Sequence, residues 1–135
     1  MDQAERRKLL ERVNRPSATI GVEIPDTITV GEDEIPLDEF VIETRKVAGI
    51  PEEAKPVLRE AQRSLTAERE RLVNRLKTEP LDREEAEEIA ATIVGIDRAQ
   101  NALKSLRGKR FGSETSSAEI DDYKRWLGFL DAIRR

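Results

Sequence analysis

The sequence predicts a mainly α fold: a long antiparallel helical hairpin plus a C-terminal helix, with a small N-terminal β-hairpin flanked by short helices. Three observations carry this. Two charge-rich segments, 52–77 and 82–107, hold apolar residues at 3-4 spacing and are separated only by Thr78-Glu79-Pro80-Leu81. They read as two helices folded back on each other, each arm roughly 35–40 Å long. Between them and the N-terminus, β-branched residues gather on either side of Gly31. Three of the five aromatic residues, Tyr123, Trp126 and Phe129, fall in the last stretch of chain, where a helix would close the core.

Residues 2–14 form a short amphipathic helix with Ala4, Leu9, Leu10 and Val13 as its apolar side. Asn14-Arg15-Pro16 ends it, because the residue before a proline is pushed out of the α region. The runs Thr19–Ile24 and Thr27–Val30 suit strands. Gly31-Glu32-Asp33 then turns the chain into Glu34-Ile35-Pro36-Leu37, so that Ile28 and Val30 face Ile35 and Leu37. Pro25 and Pro36 keep this ribbon from being central sheet, and it must lean on helices. Asp38 is a candidate N-cap for a helix over 39–48, with Phe40, Val41, Thr44 and Val47 inward. Gly49 stands where a C′ glycine ends it, and Pro51 opens the next helix.

In the first arm Leu58, Leu65 and Leu72 recur every seven residues, widened by Ala61, Val73 and Leu76. Glu68 or Arg69 interrupts the stripe. Asp82 and Glu85 make a capping box for the second arm. There Ala86, Ile89, Ile93, Ile96, Gln100 and Leu103 form a coiled-coil-like seam. A second stripe of small residues, Gly95, Ala99 and Ala102 with Leu106, invites another element to approach closely. Ser116 and Glu119 make a further capping box for a last helix bearing Ile120, Tyr123, Leu127, Leu130 and Ile133. This helix is expected to lie on the small-residue face of the second arm. The result is one domain, 1–135: an α-β-β-α unit (1–50) attached at one end, the hairpin (51–107), then a loop and the C-terminal helix (108–135).

Composition narrows function. The chain has no Cys and no His, which removes thiolate zinc sites, cysteine nucleophiles and the Ser-His-Asp triad. Most enzyme mechanisms are thereby excluded, and neither an enzyme nor a cofactor is expected. No apolar run approaches the roughly 20 residues of a membrane span. With no apolar leader after the charged N-terminus, the expected setting is cytoplasmic. Net charge is −4, but residues 51–80 hold 7 basic and 6 acidic side chains while 81–106 hold 3 and 6. The arms therefore differ in sign, which favours their antiparallel pairing.

Candidate sites are few. Arg107, Lys109 and Arg110 beside Phe111 are the clearest positive cluster, suited to phosphate or nucleic acid with a ring to stack on a base. Three charges on an acidic chain are a small footprint, and the same residues serve equally as a solvated loop complementing a helix C-terminus. Glu84, Glu85, Glu87 and Glu88 occupy the first turns of a helix, where carboxylates favour the dipole, so no metal site is expected. Asp97 is placed to pair with Arg69 or Arg63 across the hairpin, and with Gln100 it is a candidate for setting register. Tyr123, Trp126, Phe129 and Ile133 are either core or a face for a partner or second copy.

Ile93-Val94-Gly95-Ile96-Asp97-Arg98-Ala99-Gln100-Asn101-Ala102-Leu103, with Ile35-Pro36-Leu37-Asp38-Glu39-Phe40-Val41 upstream, resembles a family of short archaeal proteins of unknown function best represented in haloarchaea. The resemblance covers most of residues 5–107. It implies a cytoplasmic archaeal protein and supplies no activity or site residues; the modest net charge departs from the strongly acidic haloarchaeal norm. The leading expectation is a non-enzymatic protein-interaction or scaffold module, binding a protein partner or itself. The alternative is a nucleic-acid-associated accessory factor using the loop 107–111.

Overall fold

The computed structural model describes residues 2–14, 25–47, 50–106 and 117–134, with the side chains of 117–119 excepted. The elements in order are α1 (Gln3–Val13), β1 (Thr27–Val30), β2 (Asp33–Pro36), α2 (Leu37–Lys46), a 3-10 turn (Glu52–Ala54), α3 (Lys55–Thr78), α4 (Arg83–Lys104) and α5 (Ser117–Arg134). The fold is mainly helical with one two-stranded antiparallel ribbon. The Thr19–Ile24 run, Gly49 and the Ser116–Glu119 box lie outside the described residues.

Local chemistry explains the boundaries. Asp2 caps α1, its carboxylate accepting from the Glu5 amide at 2.8 Å, and Asp82 does the same for α4 through the Glu85 amide at 2.8 Å. Each such cap stabilises by about 1 kcal/mol. Gly31 takes φ +64° at the first of the two residues between the strands, as a type II′ hairpin turn requires. Ile28 pairs with Ile35 and Val30 with Asp33. Leu37 does not extend this pairing as a strand residue but begins α2, so Pro36 and not Asp38 is the N-cap. The reason is that the Leu37 amide still donates to the Asp26 carbonyl at 2.9 Å, carrying the ladder up to the helix start.

The hairpin α3–α4 is the centre of the molecule. Ala61, Leu65, Leu72 and Leu76 from α3 meet the seam of α4, and both stripes are buried except at Gln100. Glu68 at the interruption is nearly covered and pairs with Arg71. Hydrogen bonding to Glu68 is what chiefly raises the Arg71 pKa.

Two packing expectations are overturned. The C-terminal helix α5 lies along α3 and α2 instead of on the small-residue face of α4. That face takes β1 and the start of α2: Gly95 is buried against Ile28, Pro25 and Leu37. Nor does the N-terminal unit sit at one end. Helix α1 packs on both arms, while α2 bridges α4 and α5. Among the described residues, the hairpin is thus covered on one side by the ribbon, α2 and α5, and on the other by α1.

Candidate functional site

Helix α1 is 11 residues long and α3 is 24, so α1 covers only part of the channel between the arms. It is fastened near the hairpin turn. The Arg6 guanidinium donates to the Leu76 carbonyl and, at 2.8 Å, to the Glu79 carbonyl, satisfying the C-terminal end of α3. Arg12 pairs with Glu87 at 2.9 Å. At its other end the Val13 carbonyl accepts from Arg69 at 3.0 Å. Past Val13 and Asn14 no described residue covers the channel, which forms a groove of about 890 Å³.

The floor of this groove is a set of polar cross-links between the arms. Asp97 accepts from Arg69 at 2.8 and 3.4 Å, the pairing its position on the second arm implied. Gln100 donates to the Gln62 carbonyl and to the Thr66 hydroxyl, both at 3.0 Å. Asp97 beside the seam and Gln100 on it therefore bond across to α3, where an apolar pair would otherwise have closed the gap. Along the walls stand Arg59, Arg63 and Ala67 on α3, facing Asn101 and Lys104 on α4. Arg59, Arg63 and Lys104 are exposed and have no ion-pair partner among the described residues. Glu70, one residue on from Arg69 in α3, also lines the groove.

Of the two readings left open for the aromatic group, Trp126 and Ile133 take the core one: both are fully buried. The indole N–H of Trp126 donates to the Thr44 hydroxyl at 3.2 Å, and Thr44 in turn donates to the Phe40 carbonyl at 2.7 Å. A tryptophan enters a core most readily where its N–H finds such an acceptor. Phe129 stands edge-on to Phe40, ring centres 5.8 Å apart. Tyr123 is half-buried 6.2 Å from the Trp126 ring, and burial, then the charge of Glu53, raises its phenol pKa. Beside them Glu43, almost wholly covered, is bridged by Arg125 at 3.2 Å. These residues join α2 to α5.

Arg107, Lys109, Arg110 and Phe111 lie outside the described residues. In α4, Glu84 and Glu85 occupy the first turn, and Glu87 is engaged by Arg12. Among the described residues no three acidic side chains converge as metal ligands would, and no helix is long and apolar enough to cross a membrane.

Sequence reasoning singled out Asp97 and Gln100, named Arg63 only as an alternative partner for Asp97, and missed Arg59, Gln62, Asn101 and Lys104. One signal was available for Arg59 and Arg63. Lys55, Arg59 and Arg63 follow at i, i+4 on one stripe of α3 with no acid among them. Like charges at that spacing oppose the helix by a few tenths of a kcal/mol per pair.

Comparison with known proteins matches residues 1–131 to a family of unknown function, DUF5788. No curated protein and no solved structure matches the chain. With its whole helical framework up to residue 131 inside the matched span, the chain belongs to the DUF5788 family.

Proposed function

We propose that this chain is a non-enzymatic binding module, in the cytoplasmic and archaeal setting that the resemblance implies, and that it recognises its partner in the open half of the groove between α3 and α4. The observation that carries this reading is that both arms run on beyond the end of α1, leaving about 890 Å³ lined mainly by polar side chains. The volume falls within the range of ligand sites. The competing surface is weaker, because Trp126 and Ile133 are inside. Ile42 and Ile120, 51% and 39% exposed, are the large apolar residues most open to solvent among those described; single exposed apolar residues are ordinary. The nucleic-acid reading of Arg107, Lys109, Arg110 and Phe111 rests on sequence alone.

A photo-crosslinking residue at Ala67 or Asn101 is expected to capture the partner in a native lysate, and one at Ile42 is not. Capture from position 42 alone would overturn the assignment.

Asp97 and Gln100 serve this reading by holding the arms in register beneath the groove. Asp97→Ala leaves the partly buried Arg69 guanidinium without its carboxylate. The expected cost is about 1–2 kcal/mol, below that of a fully buried pair because both side chains keep some solvent. Thermal melting checks the cost. An unchanged melting temperature would remove the register role.

A further inference from the structure

We infer that the open groove takes the phosphodiester backbone of a single-stranded nucleic acid, an assignment of ligand class that rests on the groove being the binding surface. Its charge is the first reason. Arg59 and Arg63 on one wall and Lys104 on the other have no ion-pair partner among the described residues. Toward the inner end Asp97 is already matched by Arg69, leaving Glu70 as the opposing carboxylate. The i, i+4 spacing sets Arg59 and Arg63 side by side, roughly 5–6 Å apart at Cβ, against the stability of α3 itself. Two adjacent guanidinium forks suit oxygens that repeat along a strand.

The second reason is what the walls lack. Val13 and Ala67 are the apolar residues among the described lining, and the rest of its apolar surface is the methylenes of polar side chains, with no large apolar group. A protein partner would want an apolar or aromatic anchor at the centre of its contact. Phosphate and sugar are held instead by cations and by neutral hydrogen-bonding side chains such as Asn101 and Thr66. Width gives the third reason: the walls are two directly packed helices, with axes roughly 8–10 Å apart. A duplex does not enter such a channel, whereas one strand does. With no aromatic ring among the described lining residues, these residues stack no base, and their contacts are indifferent to sequence.

Three cations fix the magnitude. For single strands, binding falls with salt at a slope of about −0.7 per phosphate neutralised, hence about −2 here. Raising salt from about 50 to 200 mM is therefore expected to weaken binding about 20-fold. The test is fluorescence anisotropy of a labelled short oligouridylate with the full chain. The triple variant Arg59→Ala, Arg63→Ala, Lys104→Ala is expected to lose binding and salt dependence while melting as the wild type does. A second variant, with Arg107, Lys109 and Arg110 replaced by Ala, is expected to retain a salt-dependent groove component.

Four results would overturn the inference: no binding of the oligouridylate, undiminished binding by the groove variant, complete loss in the 107–110 variant alone, or equal competition by a short polyglutamate. If any of these occurs while crosslinks from Ala67 or Asn101 still capture a protein, the groove remains the binding surface and only the ligand class falls.

Discussion

Trp126→Ala is expected to destabilise the chain by about 3–5 kcal/mol, the range for emptying a large buried aromatic site. A domain of this size has a total stability of about 5–15 kcal/mol. The melting temperature should therefore fall on the order of 10–20 °C. The effect is large because the indole does two things at once. Fully buried, it fills the space between α2 and α5, and its N–H satisfies the Thr44 hydroxyl. Trp126→Phe separates them. It keeps most of the apolar volume, and Thr44 still donates to the Phe40 carbonyl, so the cost should drop to about 1–2 kcal/mol. Denaturant unfolding followed by circular dichroism measures both. Equal stability of Trp126→Ala and wild type would contradict the placement of α5 on α2.

Gly95→Val carries the second large effect, about 1–3 kcal/mol of overpacking. A Cβ at Gly95 would come within 2.8 Å of the Ile28 Cγ2 methyl, 3.1 Å of Pro25 Cγ and 3.4 Å of Leu37 Cδ2. Ile28 is itself buried and branched at Cβ, so it has little room to yield, and a valine adds two methyl groups to the same crowded space. Replacing glycine in a helix returns some propensity, less than about 1 kcal/mol, which does not offset the clash. Gly128 is the control. It lies in α5, where an added Cβ would meet nothing within 4 Å, so Gly128→Ala is expected to stabilise by about 0.5–1 kcal/mol. Opposite signs at the two glycines identify the ribbon–α4 contact; equal effects would deny it.

These two sites also mark where the sequence stopped being legible. Periodicity showed which face of each helix is buried, and so the hairpin seam, the Asp82 cap and the turn at Gly31 could all be read. Periodicity does not say what covers a face. The small residues Gly95, Ala99 and Ala102 announced a close neighbour, but a strand ribbon with Ile28 fits the slot as well as a helix does. Helix α5 took the α3–α2 side, where Thr44 offers an acceptor for the indole N–H. Asp97 was legible because a carboxylate beside an apolar seam needs a cation, and Arg69 stands opposite. Arg59, Arg63 and Lys104 were not, since exposed cations on a helix ordinarily face solvent. They line a common groove where α1 ends at Val13, short of the full length of the arms.

If the partner binds in this uncovered half of the hairpin, filling the groove must abolish capture. The most direct test places bulk at two exposed wall positions, with Ala67→Trp and Asn101→Trp together. The tagged wild type and the double variant are then compared for what each retains from a native lysate. The double variant is expected to melt like the wild type and to lose the bound material. Retention of the same material by a folded variant would contradict the groove as the binding surface and move that surface elsewhere on the chain.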